Sequence, residues 1–279
     1  MANFTPNKQP VTLHQAKPSP ALAPYVKQYW CLEAYAPQAE APIQRVVPNG
    51  LMELVFYLAD TPTVLNSHHR FDGGLTLCGH TTSFFDLEVP PRLLLFTVSF
   101  QPCGVKALLG IPANELLNHS IPLRDILKDG LPQLEESLQE ATSFAARVAI
   151  AERFLLQRLA PTDPYELARM GHSLGIINHH RGLVAIGTLA AEACLCRKQF
   201  ERRFLAHVGI SPKQFLRILR FQNALLQKAR TPGLSLTELA YSCGYYDQSH
   251  MVNDFRALAG VTPSQYFAAC EPVSDYFAQ

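Results

Sequence analysis

The chain has 279 residues, of which 48% are apolar and 17% charged, a composition that excludes a disordered chain and is typical of a globular protein. No apolar run reaches the length of a membrane-spanning helix and the first residues lack a signal-peptide pattern, so we expect a cytoplasmic protein without a membrane partner. The formal net charge of +1 is uneven: residues 181–279 carry 11 basic and 7 acidic side chains, as expected if this end contacts a polyanion.

The N-terminal half alternates short apolar segments with proline and glycine. Between residues 20 and 110, segments such as "LMELVFYLA" and "LLLFTVSFQPCG" predict β-strands separated by turns. Residues 131–159 predict a helix whose apolar residues recur at spacings of three and four. This spacing is typical of a coiled-coil seam or of a helix lying on its own domain. Small alanines and the interruption at Glu152 favour the second, and a homodimer stays an open alternative.

A linker is predicted at the Pro-rich segment "APTDP", residues 160–164, because a new helical pattern follows it. The sequence thus predicts an α+β protein of two domains, a β-rich one at residues 1–160 and an all-helical one at residues 161–279.

The last hundred residues contain an internal repeat. "FLAHVGISPKQF" at 204–215 aligns with "FRALAGVTPSQY" at 255–266, and Leu189-Ala190 aligns with Leu239-Ala240. Each copy predicts a helix, a tight turn, a second helix, a glycine stop and a restart at Ser-Pro or Thr-Pro. The repeat therefore predicts two helix-turn-helix units, at about 183–209 and 235–260.

The second helix of the second copy has two unlike faces. Met251 and Phe255, four residues apart, predict a buried face. The opposite face carries short hydrogen-bonding groups and one small apolar group, which suit base edges in a DNA major groove better than they suit bulk water. These residues are Gln248, Ser249, Val252 and Asn253.

The equivalent helix of the first copy buries Phe200 and Phe204 and is more strongly charged. Lys198 and Arg202 could read guanine or contact phosphate, and Glu201 could accept from a cytosine amine. The alternative is a solvated face on which Glu201 pairs with Arg197, four residues earlier. The two copies taken together favour DNA contact.

A long helix is predicted between the copies by "KQFLRILRFQNALLQKAR". About 17 helical residues span roughly 26 Å, and the turns at each end bring the two reading helices to about one DNA turn, roughly 34 Å, apart. One chain could then occupy two successive major grooves. Four arginines are candidates for phosphate contacts or for simple solvation: Arg197, Arg217, Arg220 and Arg256.

These motifs resemble the AraC/XylS family of bacterial transcription regulators, whose C-terminal signature is two helix-turn-helix units joined by a long helix. The matching segments are "LAAEACLCRKQFERRFLAHVGISPKQFLRILRFQNALL" and "LTELAYSCGYYDQSHMVNDFRALAGVTPSQY". Cys196 departs from the family's usual serine, which weakens the helix cap. The resemblance implies promoter DNA as partner and the following base-reading positions: Lys198, Glu201 and Arg202, then Gln248, Ser249, His250, Val252 and Asn253.

The N-terminal segments "VPNGLMELVF", "GHTT" and "VSFQPCGVKALLGIPANEL" resemble a domain found on one subgroup of these regulators. The resemblance implies a distorted cupin-type β-barrel with flanking helices, and a role in binding a small-molecule effector or in dimerisation. The effector is unassigned, and RNA polymerase is a further candidate partner. Aromatic residues that line such a cavity or belong to the core are Trp30, Tyr57, Phe85 and Phe100.

A second hypothesis makes the N-terminal half a metal- or thiol-dependent sensor, or an alkyl-transfer repair activity coupled to the DNA domain. The adjacent His68 and His69 would point to opposite strand faces, which does not suit a shared metal. Cys31, Cys78 and Cys103 are widely spaced, and Cys194 and Cys196 are too close together for a zinc site without a second pair. We therefore predict no catalytic residue, no metal ligand and no cofactor.

Overall fold

The computed structural model describes residues 11–35, 42–127, 129–159 and 164–269. The predicted linker at 160–164 lies outside these ranges except for the backbone of Pro164, so the predicted domain boundary stays a prediction. In the part of the chain that is described, no helix is both long enough and apolar enough to cross a membrane.

The N-terminal part is built on two antiparallel sheets. The larger sheet has the strand order β1-β2-β8-β4-β6-β9, and the smaller has the order β3-β7-β5. The strands are β1 Thr12–Ala16, β2 Val26–Tyr35, β3 Ile43–Val46, β4 Glu53–Tyr57, β5 Thr63–Val64, β6 Leu75–Cys78, β7 Phe85–Glu88, β8 Arg92–Phe100 and β9 Ser120–Pro122.

Alternation along the strands gives the larger sheet two apolar faces. Leu54 and Phe96 belong to one cluster, which also contains the helices that follow the sheet. Trp30, Val55 and Tyr57 belong to a second cluster on the opposite face. The β-rich fold is confirmed, but its strands form two sheets instead of one closed barrel, with β1 and β9 at the edges of the larger sheet.

The predicted helix at 131–159 is two helices. The chain leaves the first helix at Ala141, and Ser143 caps the second by accepting a hydrogen bond from the Ala146 N–H at 3.2 Å. Both helices bury their apolar residues in the cluster on the sheet, as the prediction of packing within the domain requires. The helices of this part are α1 Gly104–Leu109, α2 Leu123–Ile126, α3 Leu131–Glu140 and α4 Phe144–Leu156, with a 3₁₀ turn at Ala113–Leu116.

A small apolar cavity of about 10 Å³ lies between the larger sheet and the α3–α4 pair. This volume is about that of one water probe. The four aromatic residues proposed for a cavity or the core are all buried, at 6% exposure or less: Trp30, Tyr57, Phe85 and Phe100.

The C-terminal part is all helical, as predicted. Its helices share one core, to which Phe200, Phe204, Phe221, Phe255 and Tyr266 contribute. The helices are α5 Pro164–His179, α6 Ile186–Glu192, α7 Arg197–Val208, α8 Pro212–Arg230, α9 Leu236–Ser242, α10 Gln248–Ala259 and α11 Pro263–Ala269.

Candidate nucleic-acid interface

The two helix-turn-helix pairs, α6–α7 and α9–α10, are built on equivalent buried residues. Leu189 and Ala190 of α6 correspond to Leu239 and Ala240 of α9, and all four are at most 3% exposed. On the second helices the corresponding buried pairs are Phe200 with Met251, Phe204 with Phe255, and Val208 with Ala259. The same packing therefore orients α7 and α10, and their opposite faces are equivalent too.

Left-handed residues fix the turns before and after each second helix. Cys194 (φ 53°) occupies the turn before α7, and Gly244 (φ 72°) occupies the turn before α10. Gly209 and Gly260 end α7 and α10 with φ of 89° and 74°. Each donates its N–H to the carbonyl four residues earlier, which is the usual glycine stop of a helix.

The helix that joins the two units begins at a capping serine that is followed by proline. Ser211 accepts from the Gln214 N–H at 3.3 Å, and Pro212 occupies the first helical position. The helix α8 has 19 residues, so it is about 28 Å long. This length is what the sequence predicted for a spacer between two successive major grooves.

The predicted reading residues of α10 are not equally accessible. Gln248, Ser249 and Asn253 are exposed, whereas Val252 and His250 are half-buried. The His250 ring packs edge-on against Tyr245 at 5.3 Å between centroids, and its Nδ1 accepts from the Tyr246 N–H at 3.4 Å. The His250 ring thus lies partly against the turn that precedes α10. The exposed polar face of the helix is formed by Gln248, Ser249 and Asn253.

On α7, Lys198 and Arg202 are exposed, and Glu201 is half-buried. Glu201 Oε1 accepts from Arg197 Nε at 2.9 Å, so the ion pair predicted as the alternative to base contact exists in the DNA-free chain. An open groove of about 760 Å³ runs along this helix. Its charged lining residues are Arg197, Lys198, Glu201, Arg202 and Lys213.

The two sets of predicted reading positions coincide under the repeat. Lys198, Glu201 and Arg202 fall on the positions of Ser249, Val252 and Asn253. The first unit is therefore charged where the second is neutral.

Three of the four predicted phosphate contacts already have partners within the chain, one of them being Arg197 in its ion pair with Glu201. Arg217 Nε donates to Asp254 Oδ1 at 2.6 Å, and this pair ties α8 to α10. The Arg220 guanidinium lies over the Tyr245 ring at 5.2 Å and reaches the Gly244 carbonyl at 3.4 Å. Their contact with phosphate stays a prediction, as does that of Arg197 and of the exposed Arg256.

Three residues that the sequence reasoning did not assign lie on this surface or support it from below. Tyr246, 85% exposed, precedes α10, and Lys213 is exposed beside the groove of α7. Asp254 is 4% exposed and, through Arg217, sets the orientation of α10. Its position among the apolar residues of the repeat, next to Phe255, is the signal that could have identified it as an inward-facing group.

Comparisons with known proteins agree with this geometry. Residues 189–269 match a family model described as a helix-turn-helix domain. The HTH-type transcriptional regulator MtrA of Neisseria gonorrhoeae is 33% identical over 99 residues, covering 35% of this chain and 33% of MtrA. The HTH-type transcriptional activator RhaS of Escherichia fergusonii is 29% identical over 119 residues, covering 42% of this chain and 41% of RhaS.

In its C-terminal part the chain resembles regulators of the AraC/XylS family. It spans about a third to two fifths of the length of these two regulators, and both matches involve less than half of this chain. Residues 14–122 match a separate family model, described as a domain of unknown function (DUF6597). Among solved structures, ToxT from Vibrio cholerae aligns over 94% of this chain and 97% of its own, with 11% identity and a TM-score of 0.45.

Proposed function

We propose that this chain is a sequence-specific regulator of transcription that places α7 and α10 in two successive major grooves of promoter DNA. The observation that carries the proposal is the pair of equivalent helices, each with a buried apolar face and an open polar face, joined by one helix of 19 residues. The role is non-catalytic and belongs in the cytoplasm, where bacterial DNA lies. Lys198, Arg202 and Asn253 are the exposed groups we assign to base or phosphate contact.

The N-terminal part is proposed to modulate DNA binding through a small-molecule effector, a partner such as RNA polymerase, or a second copy of the chain. It is well placed for this role because it packs directly on the C-terminal part. Gln222 Nε2 of α8 donates to the Pro48 carbonyl at 2.6 Å, and Val47 and Leu117 pack against the helical core. A conformational change in the sheet-bearing part can therefore be transmitted to the DNA-binding helices through these direct contacts.

The burial of the thiols favours this function over the thiol-dependent alternative. Burial raises the pKa of Cys78 and of Cys103 to about 12 each, and it also raises the pKa of Cys31. These thiols stay protonated at neutral pH, whereas alkyl transfer to a cysteine needs a thiolate.

Selection of duplexes from a randomised DNA library tests the proposal. The full chain should enrich one bipartite site, and Asn253→Ala should weaken preference in one half of it by about 1–3 kcal/mol, because a bidentate contact to one base is lost. Lys198→Ala and Arg202→Ala should act on the other half. Lys228→Ala serves as a matched control, because Lys228 is basic but is bonded to the Pro232 and Leu234 carbonyls. Identical preferences in all four variants would refute the assignment.

A further inference from the structure

The sheet-bearing part contacts both recognition helices at the same position of the repeat. The helix α7 ends at Val208 and Gly209, and α10 ends at the equivalent Ala259 and Gly260. A Cβ added to Gly209 would overlap the backbone of Ala113, and one added to Gly260 would overlap the ring of Phe84. Both helix ends are therefore in close contact with the sheet-bearing part, at sites that the internal repeat relates to each other.

At the end of α10 the contact is made by Arg45. Its Nη1 donates to the Ala259 carbonyl at 3.0 Å. Its Nε and Nη2 donate to the two carboxylate oxygens of Asp86 at 2.8 and 2.9 Å, and its guanidinium lies 4.1 Å from the Phe84 ring centroid. A cation at the carbonyl end of a helix is favourable because that end carries partial negative charge. Asp86 and Phe84 hold the guanidinium in the orientation that reaches α10.

Near the end of α7 the sheet-bearing part contributes Lys106 and the buried His80, which is 1% exposed. Its ring packs edge-on against Phe215 of α8, with 6.1 Å between centroids. The Val208 carbonyl acts to raise the pKa of His80, but burial outweighs it and lowers the pKa to about 4, so the ring is neutral at pH 7. Neither ring nitrogen makes a hydrogen bond of normal geometry within the described ranges. On α7 itself, the residue before Val208 makes a side-chain contact with the sheet-bearing part, since His207 Nε2 lies 3.4 Å from Lys106 Nζ.

Docking at these ends leaves the reading faces open. Lys198 and Arg202 on α7, and Gln248 and Asn253 on α10, are all exposed while the two contacts are made. The sheet-bearing part therefore does not block DNA by covering the reading residues. The sheet-bearing part contacts each recognition helix at its C-terminal end, where a shift of the contact would change the orientation of the helix.

We infer that Arg45, and Lys106 together with the buried His80, are positioning residues through which the sheet-bearing part sets the orientation of α10 and of α7 separately, in a DNA-competent arrangement. The inference rests on the proposed DNA-reading function. A movement of the strand that carries Arg45 would act on the half-site read by α10, and a movement of the segment that carries His80 would act on the half-site read by α7. Modulation by the sheet-bearing part would then change the affinity for one half-site, while the protein stays bound to the DNA at the other.

The test uses the full chain and the duplex that the wild-type chain selects, with hydroxyl-radical footprinting and dissociation constants. Half-sites are assigned to the helices with Lys198→Ala and Asn253→Ala. Arg45→Met should weaken binding about 5- to 50-fold and remove protection only at the half-site of α10. Arg45→Lys, which keeps a cationic donor, should recover most of the loss. Gln222→Met is the matched control, since it removes a side-chain donor to a backbone carbonyl across the same interface without touching a recognition helix.

His80→Phe should instead reduce protection at the half-site of α7. If the melting temperature of the His80→Phe chain falls, Lys106→Met replaces it as the test variant for α7, because this substitution removes the contact with His207 at the same helix end. Half-site-specific losses with rescue by Arg45→Lys support the inference. Equal losses at both half-sites, or Arg45→Met binding like wild type, overturn it while the wild-type footprint still stands. A wild-type chain that selects no DNA would overturn both the proposed function and this inference.

Discussion

Replacing Phe255 with alanine is expected to lower the free energy of unfolding by about 3–5 kcal/mol, because it empties a fully buried ring site. Phe255 is 0% exposed. Its ring lies 4.8 Å from Phe221 of α8, 5.9 Å from Tyr266 and 5.5 Å from Phe267 of α11, measured between centroids. The side chain therefore joins α10 to the helices on both sides of it, and neighbours that meet at edge-on angles cannot close the cavity by simple sliding.

Chemical denaturation followed by circular dichroism measures this change. Asn253→Ala, two residues earlier on the exposed face of the same helix, is the matched control and should change stability by less than about 0.5 kcal/mol. A Phe255→Ala chain as stable as the control would contradict the role given to this ring.

Acidification is expected to destabilise the wild-type chain more than a His80→Phe chain, by roughly 2–4 kcal/mol between pH 7 and pH 4. Burial lowers the pKa of His80 from 6.5 to about 4 in the folded chain. Above pH 6.5 the imidazole is neutral in both the folded and the unfolded chain, so it imposes no pH dependence there. As the pH falls from 6.5 to 4, the unfolded chain binds a proton that the folded chain excludes, and stability is lost over that window.

The difference between the two chains isolates His80, because the other titrating groups are common to both. These include Glu53, whose carboxyl pKa is raised by burial, and His69, whose pKa is lowered by burial. The free energy of unfolding of the wild-type chain should fall relative to that of the His80→Phe chain as the pH falls from 6.5 to 4. Parallel curves over the whole window would show that His80 accepts a proton without opening the interface.

The helical C-terminal part could be predicted from the sequence because its signals are local. The helix ends are marked by Gly209 and Gly260, and the starts of the helices that follow are marked by Pro212 and Pro263. The spacing of the apolar residues predicts which faces are buried. The break between α3 and α4 was missed, since both helices pack on one core and the apolar spacing continues across it. The capping residue Ser143 was the available signal.

The contacts between distant segments could not be predicted in this way. Arg45 and Ala259 are 214 positions apart, and nothing in the local pattern around either residue names the other. Arg217 was interpreted as a phosphate contact or a solvated group, although it forms an ion pair with Asp254 between α8 and α10. The strand segments were predicted from short apolar runs between proline and glycine turn signals, but the pairing that leaves two sheets depends on non-local register, which a single sequence does not specify.

Hydroxyl-radical footprinting of the wild-type chain on its selected duplex tests the central claim most directly. Two rigidly joined recognition helices should protect two tracts on one face of the duplex, with centres about 10–10.5 base pairs apart. Lys198→Ala should weaken protection in one tract and Asn253→Ala in the other. A single protected tract, or two tracts on opposite faces, or loss in the same tract from both variants, would contradict a chain that reads two successive grooves with α7 and α10.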